Sequence, residues 1–183
     1  MKVIKKLAIF FRPYSYAPEI DQKDSIYQPI ILLFLLGIIT YFVEERIYNL
    51  DESLMLELIM PSPLIGAFLY SLFYQLFSRI FVRSRRWKRM FLFVSYCIIT
   101  SCILFIVISI LQYYMTFPRS HIDIRSSLII YGPLSIYFFS VLTILASKNY
   151  SLHISRSVLL TILVVIHSIV LPFALTIIIL KLL

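Results

Sequence analysis

The sequence predicts an all-α protein, a polytopic membrane helix bundle of five transmembrane helices in one domain over residues 1–183. Three observations lead there. First, mean hydropathy is +0.93 and only 14% of residues are charged, against about 25% in ordinary soluble domains. A water-soluble fold of this size has no interior large enough to hide so much apolar surface. Second, the apolar residues fall into long uncharged runs bounded by charge. Third, these runs are apolar on every face, whereas membrane-barrel strands would alternate apolar and polar positions. A backbone in lipid must satisfy its own hydrogen bonds, so such runs are helices.

The expected spans are about 25–43, 58–78, 90–115, 126–147 and 157–180. Each approaches or exceeds the roughly 20 residues that cross a bilayer core. The first is closed by Glu44, Glu45 and Arg46. Pro61 and Pro63 lie at the start of the second, where a missing N–H costs little. Pro118 follows the third, and Pro172 lies inside the fifth. Residues 1–24 form a cytoplasmic or interfacial segment. Within it, Val3, Ile4, Leu7, Ala8 and Phe11 share one helical face and Lys2, Lys5 and Lys6 the other, the pattern of a short helix lying in the membrane surface. The same stretch resembles the start of a signal peptide. Arg12 and Pro13 cut its apolar run short and no small-residue cleavage site follows, so it is expected to be retained.

The net charge of +8 is unevenly spread. With five spans, thirteen of the 17 Lys and Arg residues fall on one side and four on the other. The positive-inside rule then puts the N-terminus in the cytoplasm and the C-terminus outside. Four or six spans would spoil that separation. The densest cluster is FVRSRRWKRM, residues 81–90, with Arg83, Arg85, Arg86, Lys88 and Arg89 around the one tryptophan, Trp87. A short connector between two membrane helices offers no recognition helix or groove for nucleic acid. The cluster reads as a topological anchor whose neighbours are anionic lipid headgroups or an acidic protein partner, with Trp87 at headgroup level.

His167 is the one ionisable residue deep in an expected span, which makes it a candidate intramembrane polar site. The plainer expectation is a neutral imidazole bonded to another helix. His121 and Asp123 give two ligands where a metal site needs three or four. His153 is expected at the headgroup boundary. Cys97 and Cys102, rotated by roughly 140° on one helix, cannot bond to each other. Glu44–Glu45–Arg46 lacks the distant Arg and paired His of the prenyl-protein-processing intramembrane proteases. No P-loop, HExxH or nucleophile elbow occurs. No catalytic residue, metal or cofactor is expected. Tyr70, Tyr74, Tyr96 and Tyr137 fall within spans, where hydroxyls join helices.

The layout, with FFRPYSYAPEI at residues 10–20, a basic connector between the second and third spans, and the polar turn SKNYSLHISRS between the last two, resembles the Yip1 family of five-helix membrane proteins in its bacterial branch. The resemblance implies a non-enzymatic protein of the bacterial cytoplasmic membrane. It would act as a scaffold or accessory subunit of a membrane complex such as an ABC-type exporter, with other membrane proteins and lipids as partners. The alternatives from the residues are a small transporter or channel-like protein with a polar path through His167 and, more weakly, an intramembrane enzyme.

Overall fold

The computed structural model describes residues 2–20, 24–48, 62–82, 86–116 and 124–182, and they are helical with no strand among them. Two short helices, α1 (Lys2–Leu7) and α2 (Pro13–Tyr16), alternate with 3-10 turns at Ala8–Phe10 and Ala17–Glu19. Five long helices follow: α3 (Tyr27–Tyr48), α4 (Ser62–Phe81), α5 (Trp87–Thr116), α6 (Ile124–Tyr150) and α7 (Ile154–Leu182). Among the described residues, α4 over its 20 residues and Trp87–Leu111 of α5 are long and apolar enough to cross a membrane. The pair Gly132–Tyr150 and Ile154–Ser168 passes only when taken together, and it bends by 118° at the intervening turn. The apolar part of α3, Tyr27–Val43, is shorter.

Local chemistry explains the breaks. Arg12, with φ −137°, leaves the helical region, and Pro13 opens α2 at a position needing no N–H. Helix α6 ends on Ser151, whose φ of 55° is left-handed, and the Leu152 N–H bonds back to the Ser147 carbonyl at 3.1 Å. That is the six-to-one closure of a Schellman stop. The Ser147 hydroxyl also donates to the Leu152 carbonyl at 2.7 Å, and the Ser157 N–H reaches the His153 carbonyl at 3.1 Å to start α7. Pro133 lies inside α6, where its ring nitrogen cannot donate to the turn before it.

The bundle is organised around α5, which touches α3, α4, α6 and the N-terminal segment; α4 and α6 in turn both pack on α7. Every residue from Met90 to Thr100 is buried. The outward faces are apolar at helical spacing: Ile31, Phe34, Leu35, Ile39 and Phe42 on α3, and Ile65, Phe68, Leu72, Leu76 and Ile80 on α4, are all exposed.

The N-terminal segment departs from the surface helix expected for it. Ile9 and Phe10 are fully buried, whereas Phe11, placed by periodicity on the apolar face, is 56% exposed. The cause is the change from α-helix to 3-10 turn at Ala8, which rotates the following residues off a 3.6-residue period.

Candidate functional site: a basic cap on the bundle

Arg86 immediately precedes α5, Trp87, Lys88 and Arg89 lie in its first turn, and all four are half-buried. Arg83 and Arg85 lie outside the described residues. The described arginines turn inward. Arg89 donates through Nε to the Ile20 carbonyl at 3.0 Å and through Nη2 to the Ala17 carbonyl at 3.1 Å. Its guanidinium lies 5.2 Å from the Phe93 ring centre, within cation–π range. Arg86 donates through Nη1 to the Asn149 carbonyl at 2.8 Å, and the Asn149 amide donates to the Arg86 carbonyl at 3.4 Å. The Ala17 carbonyl also accepts the Ile20 N–H at 3.4 Å, and a planar guanidinium with five donors meets both carbonyls at once. Trp87 stacks on Phe91, with ring centres 5.5 Å apart, and meets the edge of Phe68 at 6.3 Å.

The N-terminal segment is thus held along α5. At one end Arg89 binds Ala17 and Ile20. At the other, the single proton of the Thr100 hydroxyl is shared between the Tyr96 carbonyl of its own helix at 2.9 Å and, more weakly, the Leu7 carbonyl at 3.3 Å. Thr100 lies eleven positions beyond Arg89 on the helix, a rise of about 16 Å. Between them Lys6 pairs with Asp24 at 2.6 Å and lies 5.9 Å from the Tyr96 ring centre. Helix α6 holds the other side. The Tyr137 hydroxyl donates to the Phe10 carbonyl at 3.0 Å, and the Phe10 ring meets Tyr137 edge-on at 5.2 Å.

His167 sits apart from this cap. Its Nδ1 is 2.8 Å from the Leu163 carbonyl on its own helix, and its ring packs against Phe77 at 4.5 Å and Phe73 at 6.2 Å. As an N–H, that nitrogen donates along α7, so the hydrogen bond expected to join another helix is made within its own. The ring is exposed on the bundle surface. His153 is exposed with Nδ1 3.0 Å from the Ser155 hydroxyl. His121 and Asp123 lie outside the described residues. Among the described residues, no three His, Cys, Asp or Glu side chains gather as a metal site would require. Cys97 is buried and Cys102 half-buried, both as free thiols.

Compared with protein-family models, curated proteins and solved structures, the chain matches none.

Of the four tyrosines expected within spans, Tyr74 joins two long helices: its hydroxyl donates to Thr161 Oγ1 at 2.9 Å, linking α4 to α7. Asn149 and Thr161 were not singled out by the sequence. The signal for Asn149 was its place in the polar turn after Lys148. Thr161 carried none, because a threonine in an apolar run can equally bond its own helix.

Proposed function

We propose that the chain is a multi-pass protein of the bacterial cytoplasmic membrane, of Yip1-like type, serving as a non-enzymatic scaffold or accessory subunit of a membrane complex. The observation that carries this reading is the contrast between its apolar flanks and its basic cap. The large residues exposed on α3, α4 and α7, such as Phe34, Leu72 and Ile162, form far more continuous apolar surface than a water-soluble monomer leaves uncovered. The cations gather where α5 begins and where α6 ends. In the five-span arrangement, with the N-terminus inside and the C-terminus outside, both places face the cytoplasm.

There the cap fixes three parts of the chain against one another: the N-terminal segment, the start of α5 and the α6–α7 turn. Such a fixed surface suits the docking of another protein, and an exporter's cytoplasmic apparatus is one such partner. The hydrogen bond of His167 to its own helix weighs against the transport reading.

Two measurements test the proposal. Ser84→Cys and Ser120→Cys, introduced singly, are labelled in intact cells by a membrane-impermeant maleimide. Five spans require Ser120→Cys to react from outside and Ser84→Cys only after permeabilisation; reaction of both from one side overturns the topology. For the scaffold role, cross-linked membranes yield a defined membrane partner that is retained in His167→Ala. Loss of a transport flux in a folded His167→Ala protein would move the reading to a transporter.

A further inference from the structure

A groove of about 640 Å³ runs between α6 and α7, walled by Ile136, Phe139, Ile144, Val158, Ile162 and Ile166. Along α6 its wall extends from Ile136 to Ile144 and along α7 from Ile154 to Ile166, distances of about 12 Å and 18 Å at the helical rise. It is therefore a trough. Its hydroxyls are turned to other work. Ser140 donates to the Ile136 carbonyl at 2.8 Å, Thr143 to the Phe139 carbonyl at 2.9 Å, and Thr161 accepts from Tyr74. The surface left to an occupant is mainly hydrocarbon.

One end is cationic. Lys148 follows Ile144 by one turn on the same face of α6. Its Nζ lies 5.1 Å from the ring centre of Tyr14, which also lines the groove. His153 and Arg156, both exposed, lie on the neighbouring turn and first turn of α7. From Ile124 to Leu183 the sequence holds no Asp or Glu, so no carboxylate of these elements neutralises the mouth.

We infer that this groove is a binding site for an anionic phospholipid, with one acyl chain along the α6–α7 trough and the headgroup phosphate at Lys148. The inference rests on the membrane placement proposed above. The chemistry of the site matches the two halves of such a molecule: an elongated hydrocarbon trough and, at its end, a cation with no carboxylate on α6 or α7. A partner's transmembrane helix fits less well. Such helices approach closely through Gly, Ala, Ser and Thr; here Ser140, Thr143 and Thr161 stand among walls that are mainly Ile, Val and Phe.

The full chain is reconstituted in nanodiscs of equimolar phosphatidylglycerol and phosphatidylcholine, and the lipids it keeps on release are counted by native mass spectrometry. Wild type retains phosphatidylglycerol over phosphatidylcholine. Lys148→Gln lowers that preference about fivefold, the effect of one juxtamembrane cation. Arg79→Gln, which removes an exposed cation from the last turn of α4 away from the groove, lowers it by less than Lys148→Gln does. Ser140→Trp, at an exposed groove position, fills the trough and abolishes retention of both lipids. Ile162→Ser, also exposed, weakens it without added bulk. Equal retention of the two lipids by wild type overturns the inference, as does indifference to both groove variants. A change from dimer to monomer in Ser140→Trp also overturns it, because the occupant is then a second copy. An alkaline carbonate wash tests the membrane placement separately: release into the supernatant overturns both readings, whereas a pelleted chain with no lipid preference overturns the groove alone.

Discussion

Helix α5 has two halves of nearly the same composition and different surroundings. From Met90 to Thr100 every side chain is buried. Beyond it, Ile103, Val107, Ile110 and Leu111 are exposed. Both halves are rich in Ile, Leu, Val and Phe, so hydropathy does not separate them. What differs is the neighbours. The first half lies among α3, α4, α6 and the N-terminal segment and encloses Ser95, Tyr96 and Thr100. In a bundle whose outside is as apolar as its inside, the hydrophobic effect does not distinguish core from surface. Packing and polar contacts do.

The strongest challenge to that contrast is to remove what covers the first half. Phe10 is fully buried with its ring against Tyr137 and Phe138. Phe10→Ala is expected to destabilise the protein by about 3–5 kcal/mol, the usual cost of emptying a closed aromatic site, read as thermal unfolding in detergent. An effect below about 1 kcal/mol would mean that the N-terminal segment is not part of the core. Arg89→Gln comes next. It replaces the guanidinium bonds to the Ala17 and Ile20 carbonyls with at most partial ones, and about 2–3 kcal/mol should be lost. Protease access to residues near Arg12 should rise with it, because these bonds tie that segment down.

The sequence made part of this legible and hid part of it. Each long uncharged run overlaps one of α3 to α7, although α3 continues through Glu44, Glu45 and Arg46 to Tyr48 instead of ending at that charge. The five-span count is not shown, since two helices, or three with the bent pair, meet the span criterion among the described residues. The α6–α7 pair illustrates why: the 118° bend depends on the left-handed Ser151 and its paired hydrogen bonds, which a hydropathy profile does not register. The basic cluster was visible as charge. That Arg86 and Arg89 turn toward backbone carbonyls was not, because a carbonyl acceptor leaves no mark in the sequence. Burial of the N-terminal segment was misjudged for a related reason, since a change to 3-10 geometry at Ala8 alters which side chains share a face.

The Tyr74–Thr161 bond tests whether polar contacts or shape hold the enclosed half. Tyr74 is fully buried and its hydroxyl bridges α4 and α7. Tyr74→Phe keeps the ring and removes the bridge. Interhelical hydrogen bonds in membrane proteins average about 0.6 kcal/mol and reach about 1.7. A loss near the upper value is expected here, since Thr161 is buried and would lose its partner. A double-mutant cycle with Thr161→Val isolates the bond: the paired loss should be less than the sum of the single ones. An additive result would mean the bridge contributes nothing and shape alone holds the helices.

The smallest expected effect, at Val107, gives the sharpest comparison of the two halves when set beside Val94. Val94 is fully buried and Val107 is 47% exposed on the same helix. Truncating each to Ala removes identical atoms from similar sequence surroundings. At Val94 the neighbours are protein side chains that relax only in part, so a cavity remains and about 2 kcal/mol should be lost. At Val107 the neighbour in a membrane is a lipid chain, which flows into the space, so the loss should stay within about 0.5 kcal/mol. Equal losses would mean that the second half of α5 is covered by protein, as in an oligomer. Repeating the pair in cross-linked and dissociated samples would then locate that cover. Unequal losses would assign the outer half of α5 to lipid, where no side chain need fit another.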